Sequence, residues 1–216
     1  MFIGKYDKSV IVTYLGTLFA MIGIYLTLGF ETPKLTGAII CLMLAGICDM
    51  FDGKVARMIK GRTEEDKQYG IQIDSLADMV SFIVFPVILL YGMAKYYDIG
   101  ICAYVAVPVL TLFTVAGISR LAFFNINASK EDGPVKHYTG LPVTTTSMIF
   151  PLVYMLRYVL NPEIFVSIYL AMFAIIAFLM VFNFKIKKPK GNIWYVACSI
   201  IAIIAIAVLL YLRYRR

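Results

Sequence analysis

Seven apolar runs, each close to or above the roughly twenty residues that carry a helix across a bilayer, divide this chain. They extend from about Val10 to Phe30, Leu35 to Ile59, Ile71 to Met93, Ile101 to Phe124, Leu141 to Leu160, Ile164 to Phe184 and Ile193 to Leu212. Inside lipid every backbone N–H and C=O must find a partner within the protein, which restricts such runs to helices or a closed barrel. Lengths near twenty select helices. The fold class is therefore all-α, a polytopic membrane bundle of about seven spans, with six or eight as the neighbouring alternatives. Composition agrees: 61% of residues are hydrophobic against about 45–50% in soluble domains, and mean hydropathy is +0.84. With the runs so evenly spread, residues 1–216 read as one transmembrane domain.

Polar connectors punctuate the runs at Glu31–Lys34, Lys60–Lys67, Lys95–Asp98, Asn125–Thr139, Asn161–Glu163 and Lys185–Lys190. Pro108 falls within the fourth run, where it would kink a helix. The net charge of +7 is loop charge, which sets orientation and meets anionic headgroups; nucleic acid is not an expected partner. If the N-terminus is cytoplasmic, only Lys34, Lys95, Arg157 and the tail residues Arg213, Arg215 and Arg216 among the Lys and Arg fall outside. The tail breaks the positive-inside pattern. The polar start (Lys5, Asp7, Lys8) leads into an apolar run without a cleavage site, so this run reads as a retained span. Cys41, Cys48, Cys102 and Cys198 stand singly in apolar surroundings, a packing pattern that supports neither zinc nor disulfides.

Four carboxylates break the apolar pattern. Asp49-x-x-Asp52-Gly53-x-x-Ala56-Arg57 ends the second run, and Gly70-x-x-x-Asp74-x-x-x-Asp78 begins the third. An ionisable residue at membrane depth costs about 2.5 kcal/mol or more, so it calls for a function or a partner. Residues three or four apart share a helix face, so Asp49 pairs with Asp52 and Asp74 with Asp78. Two such helices side by side would bring four acids together, more than the nearby Lys54 and Arg57 can neutralise. Hard divalent cations, bound through oxygen, satisfy that arrangement. Gly53 inside a helix is unfavourable by about 1 kcal/mol relative to Ala, which makes sense where a ligand approaches the backbone. Arg57 offers a bidentate phosphate contact, or simply snorkels at the interface. Thr63 is a further hydroxyl in the following turn.

These two blocks resemble the signature of the CDP-alcohol phosphatidyltransferases, membrane enzymes that displace CMP from a CDP-linked lipid or alcohol. The twelve-residue spacer between Arg57 and Gly70 is longer than in many members. Arg120-Leu121-Ala122-Phe123-Phe124-Asn125-Ile126 and Thr139-Gly140-Leu141-Pro142 resemble blocks of the serine-transferring branch. Phe123 stands where a basic residue is expected, and Thr144 where a second proline is common. The resemblance covers residues 10–150 as a core, with 151–216 as additional spans. It implies two divalent cations, Mg or Mn, held by Asp49, Asp52, Asp74 and Asp78, with Asp78 as general base. It also implies that Gly53, Ala56 and Arg57 face the nucleotide and pyrophosphate, with Thr63 and Gly70 nearby. The substrates would be a CDP-linked lipid and L-serine, at the cytoplasmic face of the cell membrane. Dimerisation is common in such families, although no interface signal stands out.

For the serine carboxylate the candidate is Arg120, which could equally anchor the interface; Asn125, Lys130, Lys136 and His137 follow it. Thr13 could approach the cytidine in a folded bundle. Two rivals stand beside serine transfer. One is a transferase of the same family using glycerol phosphate or inositol phosphate, for which clustered arginines would be expected. The other is a divalent-cation transporter, which would favour acids along a midplane path.

Overall fold

The computed structural model describes residues 7–130, 137–187, 202, 204–211 and 214. Among these, five helices are long and apolar enough to cross a membrane: Lys8–Leu28, Leu35–Met58, Glu64–Tyr97, Ala103–Asn127 and Pro162–Val181. The chain is an integral membrane protein built almost wholly of helix. In chain order it forms α1 (Lys8–Leu28), α2 (Leu35–Met58), α3 (Glu64–Asp78), a π-helical segment (Met79–Val84), α4 (Phe85–Tyr97), α5 (Ala103–Lys130), α6 (Thr146–Tyr154) and α7 (Pro162–Val181). Two three-residue strands, β1 (His137–Thr139) and β2 (Lys185–Lys187), pair antiparallel with Tyr138 opposite Ile186.

The first, second, fourth and sixth apolar runs become α1, α2, α5 and α7. Pro108 does lie inside α5. The third run differs at its start: helix begins at Glu64 and not near Ile71. Thr63 caps it, accepting from the Asp66 N–H while the Asp66 carboxylate accepts from the Thr63 N–H. Glu64, Glu65 and Asp66 occupy its first turn, where the helix dipole favours negative charge. The hydrophilic stretch Lys60–Lys67 is thus half loop and half helix.

The fifth run departs most from expectation. Only Thr146–Tyr154 is α-helical, flanked by 3₁₀ turns at Val143–Thr145 and Met155–Tyr158, with Pro151 inside. Proline removes a backbone donor, and the threonine hydroxyls bond backbone carbonyls instead of leaving them to the helix. Thr145 Oγ1 donates to the Pro142 carbonyl at 2.6 Å. Thr146 Oγ1 donates across the bundle to the Phe82 carbonyl, in the π-helical segment, at 3.1 Å. Most of the seventh run, with Cys198 and the basic connector Lys188–Lys190, lies outside the described residues, although 204–211 are helical.

The core is aromatic where α5, α6 and α7 meet. Phe113, Phe150, Phe165, Tyr169 and Phe173 are fully buried. The Phe150 and Phe173 ring centroids lie 4.6 Å apart, and those of Phe113 and Phe173 4.8 Å. On α5 the buried set Ala106, Leu110, Phe113, Ala116 and Arg120 repeats at helical spacing. Large apolar side chains such as Ile11, Leu15, Leu18, Val107 and Leu112 point outward, as lipid-facing residues do.

Candidate metal centre

The site forms where α2 and α3, both packed against α1, bring their carboxylates together. Asp49 and Asp52 lie in the second half of α2, and Asp74 and Asp78 in the last two turns of α3. Helical spacing turns each pair toward the other helix. The carboxylates of Asp49, Asp74 and Asp78 present oxygens that all lie within 4.8 Å of one another. Asp49 and Asp78 are within hydrogen-bonding reach, as are Asp52 and Asp74. Asp52 and Asp78 are only 6% and 8% exposed. A narrow cleft beside them is lined by Thr13, Thr17, Asp49, Asp52, Asp78 and Ser81.

This donor set fits a hard cation. All its ligands are oxygen, and oxygens bound at about 2.0–2.6 Å to one ion stand at most about 4–5 Å apart. Asp74 Oδ1 is buried and has no protein hydrogen-bond partner. A carboxylate oxygen is not left bare in a dry site without cost, and an ion would satisfy it.

The α3 helix passes directly into the π-helical segment after Asp78. Such segments shift the register of the side chains that follow and are frequent at functional sites.

Gly53 faces open space: a Cβ added there would meet nothing within 4 Å. Ala56 is half-buried and Arg57 exposed, one face of the last turns of α2. Thr63 is exposed and committed to the α3 cap, its hydroxyl 2.7 Å from Asp66 Oδ2. Gly70 is covered: a Cβ there would lie 2.8 Å from Arg62 Nη2. Asn125 on α5 accepts a hydrogen bond on Oδ1 from Ser75 Oγ at 2.7 Å, Ser75 being the residue after Asp74 in the chain. Arg120 is buried, and its Nε donates to the Leu141 carbonyl at 3.2 Å. Gly140 beside it has φ +73° and lies against the end of α7, a conformation and a clearance that suit glycine. Lys130 ends α5 and His137 starts β1; their side chains, and Lys136, fall outside the described set.

Three contacts at the site were not legible as such. Thr13 Oγ1 donates to Asp52 Oδ2 at 2.8 Å, so this α1 hydroxyl serves a carboxylate. Ser75 sits between two aspartates of the motif and ties α3 to α5. Asp7 caps α1 and lies 3.2 Å from Arg62. Burial pushes the Asp7 carboxyl up, but hydrogen bonds from Ser9 and Val10 and the Arg62 charge outweigh it and hold it below the usual carboxylate value.

A membrane helix bundle with a carboxylate quartet across two neighbouring helices defines a class, and comparison with known proteins agrees. The CDP-alcohol phosphatidyltransferase profile matches residues 9–182, and the chain belongs to that family. The match continues past residue 150 through α7. Over 152 residues the chain is 31% identical to a CDP-diacylglycerol–serine O-phosphatidyltransferase of Helicobacter pylori, covering 68% of this chain and 60% of that one. The enzyme of the same name from Saccharomyces cerevisiae is 33% identical over 53% of this chain and 41% of its own. An archaetidylserine synthase of Methanothermobacter thermautotrophicus is 36% identical over 53% of this chain and 45% of its own. The matched segment thus spans about half the length of these curated relatives.

Proposed function

We propose that this protein transfers a phosphatidyl group, or its ether-lipid equivalent, from a CDP-linked lipid to the hydroxyl of L-serine and releases CMP. The observation that carries this reading is the convergence of Asp49, Asp74 and Asp78 at the edge of a membrane bundle, beside a helical glycine that faces open space. Serine as acceptor is supported by the names of the diacyl-lipid and archaeal relatives alike, which differ in lipid and share the amino acid.

Asp49, Asp52 and Asp74, with Asp78 at the second position, would hold two divalent cations, Mg or Mn. Bound there, such ions neutralise the pyrophosphate and the departing CMP. Thr13 orients Asp52 through its hydrogen bond. Gly53 and Ala56 leave room for the nucleotide, and Arg57 reaches its phosphate from the end of α2, with Thr63 and Gly70 nearby. Asp78 takes the proton as the serine oxygen bonds to the lipid-side phosphorus; the bond from that phosphorus to the CMP oxygen breaks in line. Asn125, held by Ser75, faces the acceptor, and Arg120 pairs with the serine carboxylate; Lys130 and His137 are the further candidates for that substrate.

The reaction runs at the cytoplasmic face, where the positive-inside rule puts the connector between α2 and α3. The whole chain forms one transmembrane domain of about seven spans, six or eight being the neighbouring counts, with a core over 10–150 and further spans over 151–216, and works as a homodimer.

The test is CMP release from CDP-diacylglycerol by the purified protein with Mg or Mn, offering L-serine, glycerol 3-phosphate or inositol 1-phosphate. Release with serine alone is expected. Release with a phosphorylated acceptor instead would reassign the substrate. Metal uptake into liposomes without CMP release would point to a transporter.

A further inference from the structure

Arg62 lies in the connector between α2 and α3, where an arginine ordinarily extends into water. Here its side chain is only 13% exposed. One nitrogen, Nη2, sits 3.2 Å from Asp7 Oδ2 and donates to the Asp66 carbonyl at 3.1 Å. The same nitrogen lies where a Cβ on residue 70 would come within 2.8 Å, so glycine there leaves the guanidinium its seat on α3. Arg62 Nε is buried without a hydrogen-bond partner, an arrangement with a cost that a solvated surface charge avoids.

Asp7 holds two elements at once. Its Oδ1 caps α1, accepting from Ser9 N at 2.9 Å, Val10 N at 3.0 Å and Ser9 Oγ at 2.6 Å. Its Oδ2 takes Arg62. From this junction two helices lead inward to the carboxylates. On α3, Asp74 follows Gly70 by one turn. On α1, Thr13 follows Asp7 by less than two turns and donates to Asp52. Because α1 packs along α2, with Thr13 on Asp52, the junction sets how α3, carrying Asp74 and Asp78, lies against the α1–α2 pair.

We propose that Arg62 is a positioning residue: clasped by Asp7 and seated on Gly70, it locks the start of α1 onto α3 and so holds the carboxylate pairs in metal-binding register. This rests on the reading of the quartet as a metal site. Arg62 touches no reacting atom in this role; it acts through the seating of α3 against α1. Replacing a residue bonded directly to a metal ligand typically changes metal affinity 10–100-fold, and Arg62, which touches no ligand, is expected at the lower end of that range.

The test is Mn2+ titration of the full chain in detergent or nanodiscs, with helicity and elution volume measured on the same samples. Asp7→Asn is the cleanest variant, because asparagine caps a helix about as well as aspartate while the ion pair is lost. Asp7→Asn and Arg62→Gln are each expected to weaken Mn2+ binding about tenfold with helicity unchanged. The double variant should be no weaker than either single one, as for two halves of one contact. Arg62→Lys should recover part of the loss. Folded Asp7→Asn protein that binds Mn2+ as tightly as the unaltered chain would overturn the proposal while leaving the metal site standing. If the unaltered chain shows no saturable Mn2+ binding, the metal reading itself falls, and the positioning role with it. Should Arg62→Gln fail to fold, Asp7→Asn still decides.

Discussion

The packed seams of this bundle and the open end of α2 use glycine in opposite ways. Where helices pack together, glycines are filled by a neighbour: a Cβ at Gly46 would stand 2.1 Å from Ser147 Oγ, and one at Gly117 2.6 Å from Ile83 Cδ1. Small residues there let helices touch, as is usual in membranes, where packing and not the hydrophobic effect drives association. At the carboxylate end Gly53 meets nothing within 4 Å. The same residue type serves packing in one place and vacancy in the other. Buried polar groups divide likewise. Tyr169 OH, deep among Phe150, Phe165 and Phe173, and Asp74 Oδ1 both lack protein partners, but the tyrosine is walled in by rings while the aspartate faces three other carboxylates. A missing partner signals a ligand only where the surroundings can recruit one.

The largest effect expected at the carboxylate end is that of Asp78→Asn. It removes the proton acceptor, and general-base loss of this kind slows turnover by about 10²–10⁴-fold. CMP release should nearly vanish while CDP-lipid binding, measured by equilibrium dialysis, persists. Loss of lipid binding as well would mean that Asp78 serves first to hold the metal and not as the proton acceptor.

The glycines sharpen the contrast. Gly46→Ala must displace Ser147 and should lower thermal stability by about 1–3 kcal/mol, as overpacking does. Gly53→Ala has room and should keep or raise stability by up to about 1 kcal/mol through helix propensity. Its activity should nonetheless fall, mainly through KM for the CDP-lipid. Equal effects at both positions would erase the distinction drawn between the packed and the open glycine.

Tyr169→Phe should change least. Deleting a hydroxyl that has no partner is expected to leave the melting temperature unchanged or raise it slightly, with activity intact. A loss of stability would mean that the hydroxyl is held by something other than the protein atoms around it.

How much of this was readable from the chain depended on whether the signal was local. The carboxylate pairs were legible because helical spacing fixes which residues share a face, and because acids are conspicuous in apolar runs. The start of α3 was misjudged because hydropathy sees Glu64–Lys67 as polar, whereas the Thr63–Asp66 capping box makes it helix. That box is itself a sequence pattern, masked by the charges around it. The fifth apolar run read as a full span, yet Pro142, Pro151 and three consecutive threonines break it into short turns. The contacts of Thr13, Ser75 and Arg62 join residues from different elements and have no local signature; only the packing of α1 and α5 on α3 brings them to the site.

The most direct test of the central claim is anomalous scattering from crystals of the protein soaked in Mn2+. Anomalous density among the side chains of Asp49, Asp52, Asp74 and Asp78, lost on Asp49→Asn together with Asp74→Asn, is the expected result. A folded protein whose quartet stays empty under saturating Mn2+, or binds the ion only elsewhere on the chain, would contradict it.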